Sequence, residues 1–191
     1  MMNIELLKKL EDLEQELNKQ LEILDKNICD KKEQSIKNVV EDFTTFFENK
    51  GFQVTNSSRK YTATYKNLNA VLSFDDPSVD YFGVMFRFDL DLTGLNMPKM
   101  IVMLNRNEPS FSISSHTAET DVNAELNRKI SDTEESISKV TNRIQNFDNE
   151  QWHLYLKPDN QTNIYRKSKE YKNMFSLLSD LLKWNLNLNS I

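Results

Sequence analysis

Apolar side chains near the start of the chain fall at Leu6, Leu10, Leu13, Leu17, Leu21, Leu24 and Ile28. A second series runs Leu126, Ile130, Thr133, Ile137, Val140, Ile144 and Phe147. Steps of four and three keep one narrow stripe on one side of a helix, the pattern of a coiled-coil seam. The spacing predicts one seam helix within residues 1–30 and another within 119–148. Leu10, Leu13, Leu17 and Leu24 would then face Ile130, Ile137, Val140 and Ile144. The extra four-residue step into Leu21 reads as a stutter, which would locally unwind a supercoil.

Between the seams the period changes. Asp30 and Glu33 have the spacing of an N-cap and its reciprocal partner, so a new helix is expected to start there. It presents Ile36, Val39, Val40, Phe43, Phe46 and Phe47, a face wide enough to cover a sheet, and Gly51 is placed to end it in the left-handed conformation. Strands are expected at 52–55, 59–66, 70–74, 81–92, 100–104 and 111–115, separated by Asn, Ser, Pro and Gly turns. Alternation is plainest in the fourth, where Phe86, Phe88, Leu90 and Leu92 share one side and Arg87, Asp89 and Asp91 the other. Short connections between successive strands imply an antiparallel meander.

After the second seam come a strand-like stretch, Trp152–Leu156, a polar turn, and a last helix from about Ser168 to Leu186. Tyr171, Met174, Phe175, Leu178, Leu181, Leu182 and Trp184 give that helix a broad apolar face, the candidate partner-binding surface. The fold expected is therefore α+β. An antiparallel β-meander of five to six strands, covered by a helix, occupies 31–118. Residues 1–30 and 119–148 form a protruding antiparallel coiled-coil hairpin, and 149–191 carry the C-terminal amphipathic helix. The antiparallel direction rests on connectivity: one seam helix joins the strands by its C-terminal end, the other by its N-terminal end.

Composition narrows the function. No apolar run approaches the length of a membrane span, and the N-terminal residues lack a signal layout, so a cytoplasmic protein without membrane contact is expected. Cys29 is the single cysteine; it cannot form an internal disulfide and fits a reducing compartment. Its place near an expected helix end would favour a thiolate, but a spectator thiol is the commoner outcome. The net charge of −5 divides as −4 over residues 1–30, zero over 31–118, −3 over 119–148 and +2 over 149–191. Nothing there offers the basic surface that general nucleic-acid binding needs. The excess of Lys over Arg, with abundant Asn and Ile, is the usage of an AT-rich genome and suggests a bacterial or phage source.

Chemistry is sparse. His116 and His153 have no second ligand at metal spacing, and no phosphate loop, nucleophile motif or CxxC pair is present. Asp75, Asp76, Asp80, Asp89 and Asp91 supply the oxygen donors a metal-dependent phosphoesterase would use. The same residues also read as a turn and a solvated strand face, so no metal or cofactor is assigned. Arg59, Lys60, Tyr61, Tyr65 and Lys66 mix bases with rings, as single-strand binders do, and Arg166, Lys167, Lys169 and Lys172 form a basic run. Both fit solvated edges equally well. The balance points to a non-enzymatic homodimer that binds another protein, such as a phage- or mobile-element-encoded regulator, inhibitor or assembly chaperone.

Overall fold

A computed structural model describes residues 3–79, 84–106, 121–158 and 169–188. It is an α+β fold with three helices and one seven-stranded antiparallel sheet. The chain divides into two compact units, Met1–Lys31 with Glu108–Glu150, and Lys32–Asn107 with Gln151–Ile191. The first helix, α1 (Ile4–Glu48), runs through both. No new helix begins at Asp30, because the stretch around it has neither Pro nor Gly and Lys31, Lys32, Glu33 and Gln34 are good helix formers, so nothing there breaks the helix. Cys29 consequently lies inside the helix, exposed, rather than at an end.

The helix stops where expected. Gly51 has φ +80°, its amide donates to the Glu48 carbonyl at 2.9 Å, and the Phe52 amide donates to the Phe47 carbonyl at 3.1 Å. That pair of bonds is the Schellman motif, and the apolar contact that accompanies it is Phe47 against Phe52, edge-on with centroids 5.2 Å apart.

The second unit holds the sheet. Strands β1 (Gln53–Ser57), β2 (Lys60–Tyr65), β3 (Leu68–Phe74), β4 (Phe86–Asp91) and β5 (Lys99–Arg106) form a meander in chain order. It is continued by β6 (Trp152–Pro158) and the two-residue β7 (Glu170–Tyr171). The C-terminal segment is thus part of the sheet: β6 pairs with β5 over seven positions, from Met100 with Pro158 to Arg106 with Trp152. The strand expected at 111–115 lies outside the described residues.

Alternation decides which face is covered. Ala63, Ala70, Leu72, Phe86, Phe88, Leu90, Leu92, Val102 and Leu104 are buried against Ile36, Val39, Phe43, Phe46 and Phe47 of α1 and Met174, Leu177 and Leu178 of the last helix, α3 (Met174–Leu188). The two helices meet through Phe46 and Phe175, edge-on at 5.2 Å, and the Phe175 amide donates to Asp42 Oδ2. Gly94, in the turn between β4 and β5, lies so close to β3 that a Cβ there would sit 2.1 Å from Asn69 Oδ1.

Among the described residues the first unit contains α1 up to Lys31 and α2 (Val122–Gln145), followed by a 3-10 turn, Phe147–Asn149. Here the direction differs from the expectation: the pair is parallel. Asn3 N donates to Asn123 Oδ1, Leu10 packs with Leu126 and Ile130, and Lys31 Nζ donates to the carbonyls of Phe147 and Glu150. Both N-terminal ends lie together, and both C-terminal ends. The connectivity argument failed because it assumed a short link from β5 to α2. The fourteen residues between Arg106 and Asp121 can in principle span roughly 46 Å, longer than either helix segment at 1.5 Å per residue, so connectivity did not fix the direction.

Candidate functional site

The heptads of the helix pair run in register. With the offset set by Asn3 and Asn123, Leu10 stands level with Ile130, Leu17 with Ile137 and Leu24 with Ile144. Leu10, Leu24 and Ile130 are buried, whereas Leu13, Leu17, Ile137, Val140 and Ile144 are only half-buried. There is no stutter on α1. Steps of four and three continue through the half-buried Gln20, which takes the seam position and donates to Glu16 Oε1 at 2.8 Å, while Leu21 turns outward. The next positions, Asn27 and Lys31, are polar, and Lys31 ends the seam with its ammonium on two carbonyls and 5.0 Å from the centroid of the Phe147 ring.

Leu21 and Ile23 remain 38% and 47% exposed, and being two residues apart on the helix they flank the seam positions Gln20 and Leu24 on opposite sides. Around them the unit is strongly acidic. Residues 1–31 and 108–150 carry 17 acidic and nine basic side chains, a net −8, against 12 acidic and 15 basic, a net +3, in the other unit. Lys9 with Glu134 at 2.9 Å is an ion pair linking the two helices; the others on α2 are local, such as Arg128 with Glu125 and Lys139 with Glu135.

The C-terminal helix is placed differently from the sequence expectation. Tyr171 belongs to β7, and Met174 and Leu178 are fully buried in the unit's own core, with Leu181 and Leu182 packed on it. Only Phe175 stays 40% exposed; the side chain of Trp184 lies outside the described residues. These side chains therefore pack on the sheet, because the expected strand at 152–156 joins it as β6, and β7, which the sequence hid, extends its apolar face beneath them. Asp180 ties the helix down: it accepts from Lys169 at 2.5 Å and from the Tyr171 hydroxyl at 2.9 Å. The Lys169 bond, then the Tyr171 bond, hold the Asp180 carboxyl below its ordinary value, while burial and the carboxylate push the Tyr171 hydroxyl up to about 12.

Of the aspartates, Asp76, Asp89 and Asp91 are tied into hydrogen bonds and ion pairs. Asp76 accepts from the Ser78 hydroxyl and amide, and these bonds, with a smaller contribution from its ion pair to Arg59, hold its carboxyl below the ordinary value. Asp91 accepts from Thr93 Oγ1 and N and pairs with Lys99 at 3.2 Å; burial opposes its charge, and these bonds more than offset it. Asp89 is paired with Arg87, and Asp80 is outside the described residues. Among the described residues no three His, Cys, Asp or Glu side chains come together as a metal-binding group. With Lys60, Val71 and Ile101, the Arg87–Asp89 and Lys99–Asp91 pairs line a depression of about 460 Å³ on the open face of the sheet.

Of the aromatic residues on β2, Tyr61 stacks on Phe74 toward the core, and Tyr65 leans on Phe52 while remaining 42% exposed. Arg166 and Lys167 lie outside the described residues. No described helix is long and apolar enough to cross a membrane. No protein-family model, curated protein or solved structure matches this chain.

Proposed function

We propose that this protein is a non-enzymatic protein–protein interaction module whose α1–α2 pair is the docking element. The observation that carries the reading is the exposure of Leu21 and Ile23 on the two flanks of a half-buried seam on an acidic pair of helices. Two helices alone leave both flanks open. A further helix laid along either flank builds toward a bundle and removes one of these side chains from water. The unit's charge of −8 selects a partner with basic flanks and steers its approach. A regulator, an inhibitor or an assembly chaperone works by this kind of contact, and acting on a protein partner requires none of the clustered chemistry of an enzyme.

The test is a quantitative pull-down comparing the natural chain with the double variant Leu21→Asp, Ile23→Asp. Both positions are solvent-facing, so the helix content measured by circular dichroism should be retained. The partner should be lost from the variant and should elute from the natural chain with salt. Recovery of the same proteins at the same yield by both would remove the helix pair as the docking element.

A further inference from the structure

We infer that two copies of this chain join their sheets edge to edge through β1. Among the described residues β1 pairs only with β2, so its outer edge presents free backbone groups. Edges of this kind recruit another strand unless charge, proline, a bulge or brevity protects them. The opposite edge is protected, since β7 has two residues and α3 is tied over it through Asp180. Strand β1 has no such device. Its sequence Gln-Val-Thr-Asn-Ser contains no charge and no proline, and every residue but Val54 is exposed.

The occupant follows from symmetry and charge. A two-fold axis perpendicular to the sheet keeps the same face of both copies toward the helices, so residues opposed across it must share a face. Pairing that uses all five residues centres the axis on Thr55, setting Gln53 against Ser57 and Val54 against Asn56 of the second copy. No charge then opposes its like, and each strand is its own complement. Beside β1, on the helix side, lies a groove of about 460 Å³ lined by Thr44, Val54, Thr55, Asn56 and Tyr61. The added strand would lay Val54 and Asn56 of the second copy along it. A five-residue pairing is a small contact, so the dimer is a weak one. This inference is independent of the helix-pair reading, and it presents that docking element twice on one assembly.

Thr55 supplies the test, because at the two-fold axis it meets itself. The full-length chain should sediment as a dimer at tens of micromolar, and Thr55→Lys and Thr55→Glu should each sediment as monomers. An equimolar mixture of the two variants should recover the dimer, since Lys then faces Glu. In the natural chain, amide exchange in β1 should slow as concentration rises, a readout that needs no variant. A natural chain that stays monomeric, a Thr55→Lys dimer, or a mixture that stays monomeric would overturn the inference. So would a dimer abolished by Leu21→Asp, Ile23→Asp and untouched at Thr55, which would place self-association on the helix pair instead.

Discussion

The two units treat their apolar residues in opposite ways. In the sheet unit, Phe43, Phe47, Phe86, Phe88, Leu72, Leu90, Leu92, Met174, Leu177, Leu178 and Val102 are essentially inaccessible to water. In the helix unit, the best-covered side chains are Leu24 and Ile130, each 5% exposed, followed by Phe147, Leu126 and Leu10. A sheet covered by two helices encloses its core, whereas two helices side by side cover only one stripe of each other. The sheet unit is therefore complete as a folded object. The helix unit holds together through one seam and a lysine lock at its end, so a partner that covered it would add stability.

The largest expected effect tests that contrast directly. Phe88→Ala removes a ring at 0% exposure that packs edge-on against Phe86 and Phe74, with centroids at 5.1 and 5.6 Å. It should cost about 3–5 kcal/mol in chemical denaturation and unfold the sheet unit. Ile130→Ala, in the helix seam, should cost about 2 kcal/mol, at the low end for such truncations, because the half-buried surroundings can close around the gap. Both tryptophans belong to the sheet unit, so their fluorescence should report the first variant and stay near its natural midpoint in the second. Equal shifts of fluorescence and helical signal in both variants would show one cooperative block and dissolve the comparison.

Much of this division was legible in the sequence, and the errors have physical causes. The narrow heptads of Leu10 to Leu24 and Ile130 to Ile144, and the wide face of Ile36 to Phe47, distinguished a helix that meets one helix from one that covers a sheet. Alternation in Phe86–Leu92 gave the buried face of β4 correctly. Direction was not legible, since a heptad is satisfied equally by parallel and antiparallel partners. Nor was the role of α3: its face reads the same whether it meets a partner or its own sheet, and the two residues of β7 are too few to show a period. The break at Asp30 was misread because a change of stripe width resembles a helix end when the helix in fact continues into a different environment. The signal for the exposed pair Leu21 and Ile23 was present. Continuing the four-three steps through Gln20 leaves both outside the seam.

A smaller effect separates the end of the covering helix from its face. Gly51→Ala places a Cβ at φ +80°, where an L-residue is strained, although no atom lies within 4 Å of the added carbon. The expected cost is about 1 kcal/mol, from conformation alone. It should appear in the fluorescence midpoint of the sheet unit, with no change in the exchange rates of α2. A cost several times larger would mean that the α1–β1 corner also positions the core, and an absence of cost would mean the Schellman turn can rearrange.

The smallest effect, in acid, should split the units by sign. Three carboxyls of the sheet unit, Asp76, Asp91 and Asp180, are held below their ordinary value of 3.8 by hydrogen bonds and neighbouring cations. A depressed folded pKa contributes stability that is fully present above the unfolded value and is lost as pH falls through the folded one. The fluorescence-monitored stability of the sheet unit should accordingly be flat near neutrality and decline below about pH 4. On α2, Glu135 is also held low, by Lys139, and loses its small contribution in the same window. The helix unit, however, carries a net −8, and protonation first relieves the repulsion along the pair. Its helical signal should therefore hold or rise on acidification to the point where the tryptophan signal begins to fall. If added salt at neutral pH reproduces the rise, repulsion is the cause; if both signals fall together, the acidity of the helix pair does not limit its stability.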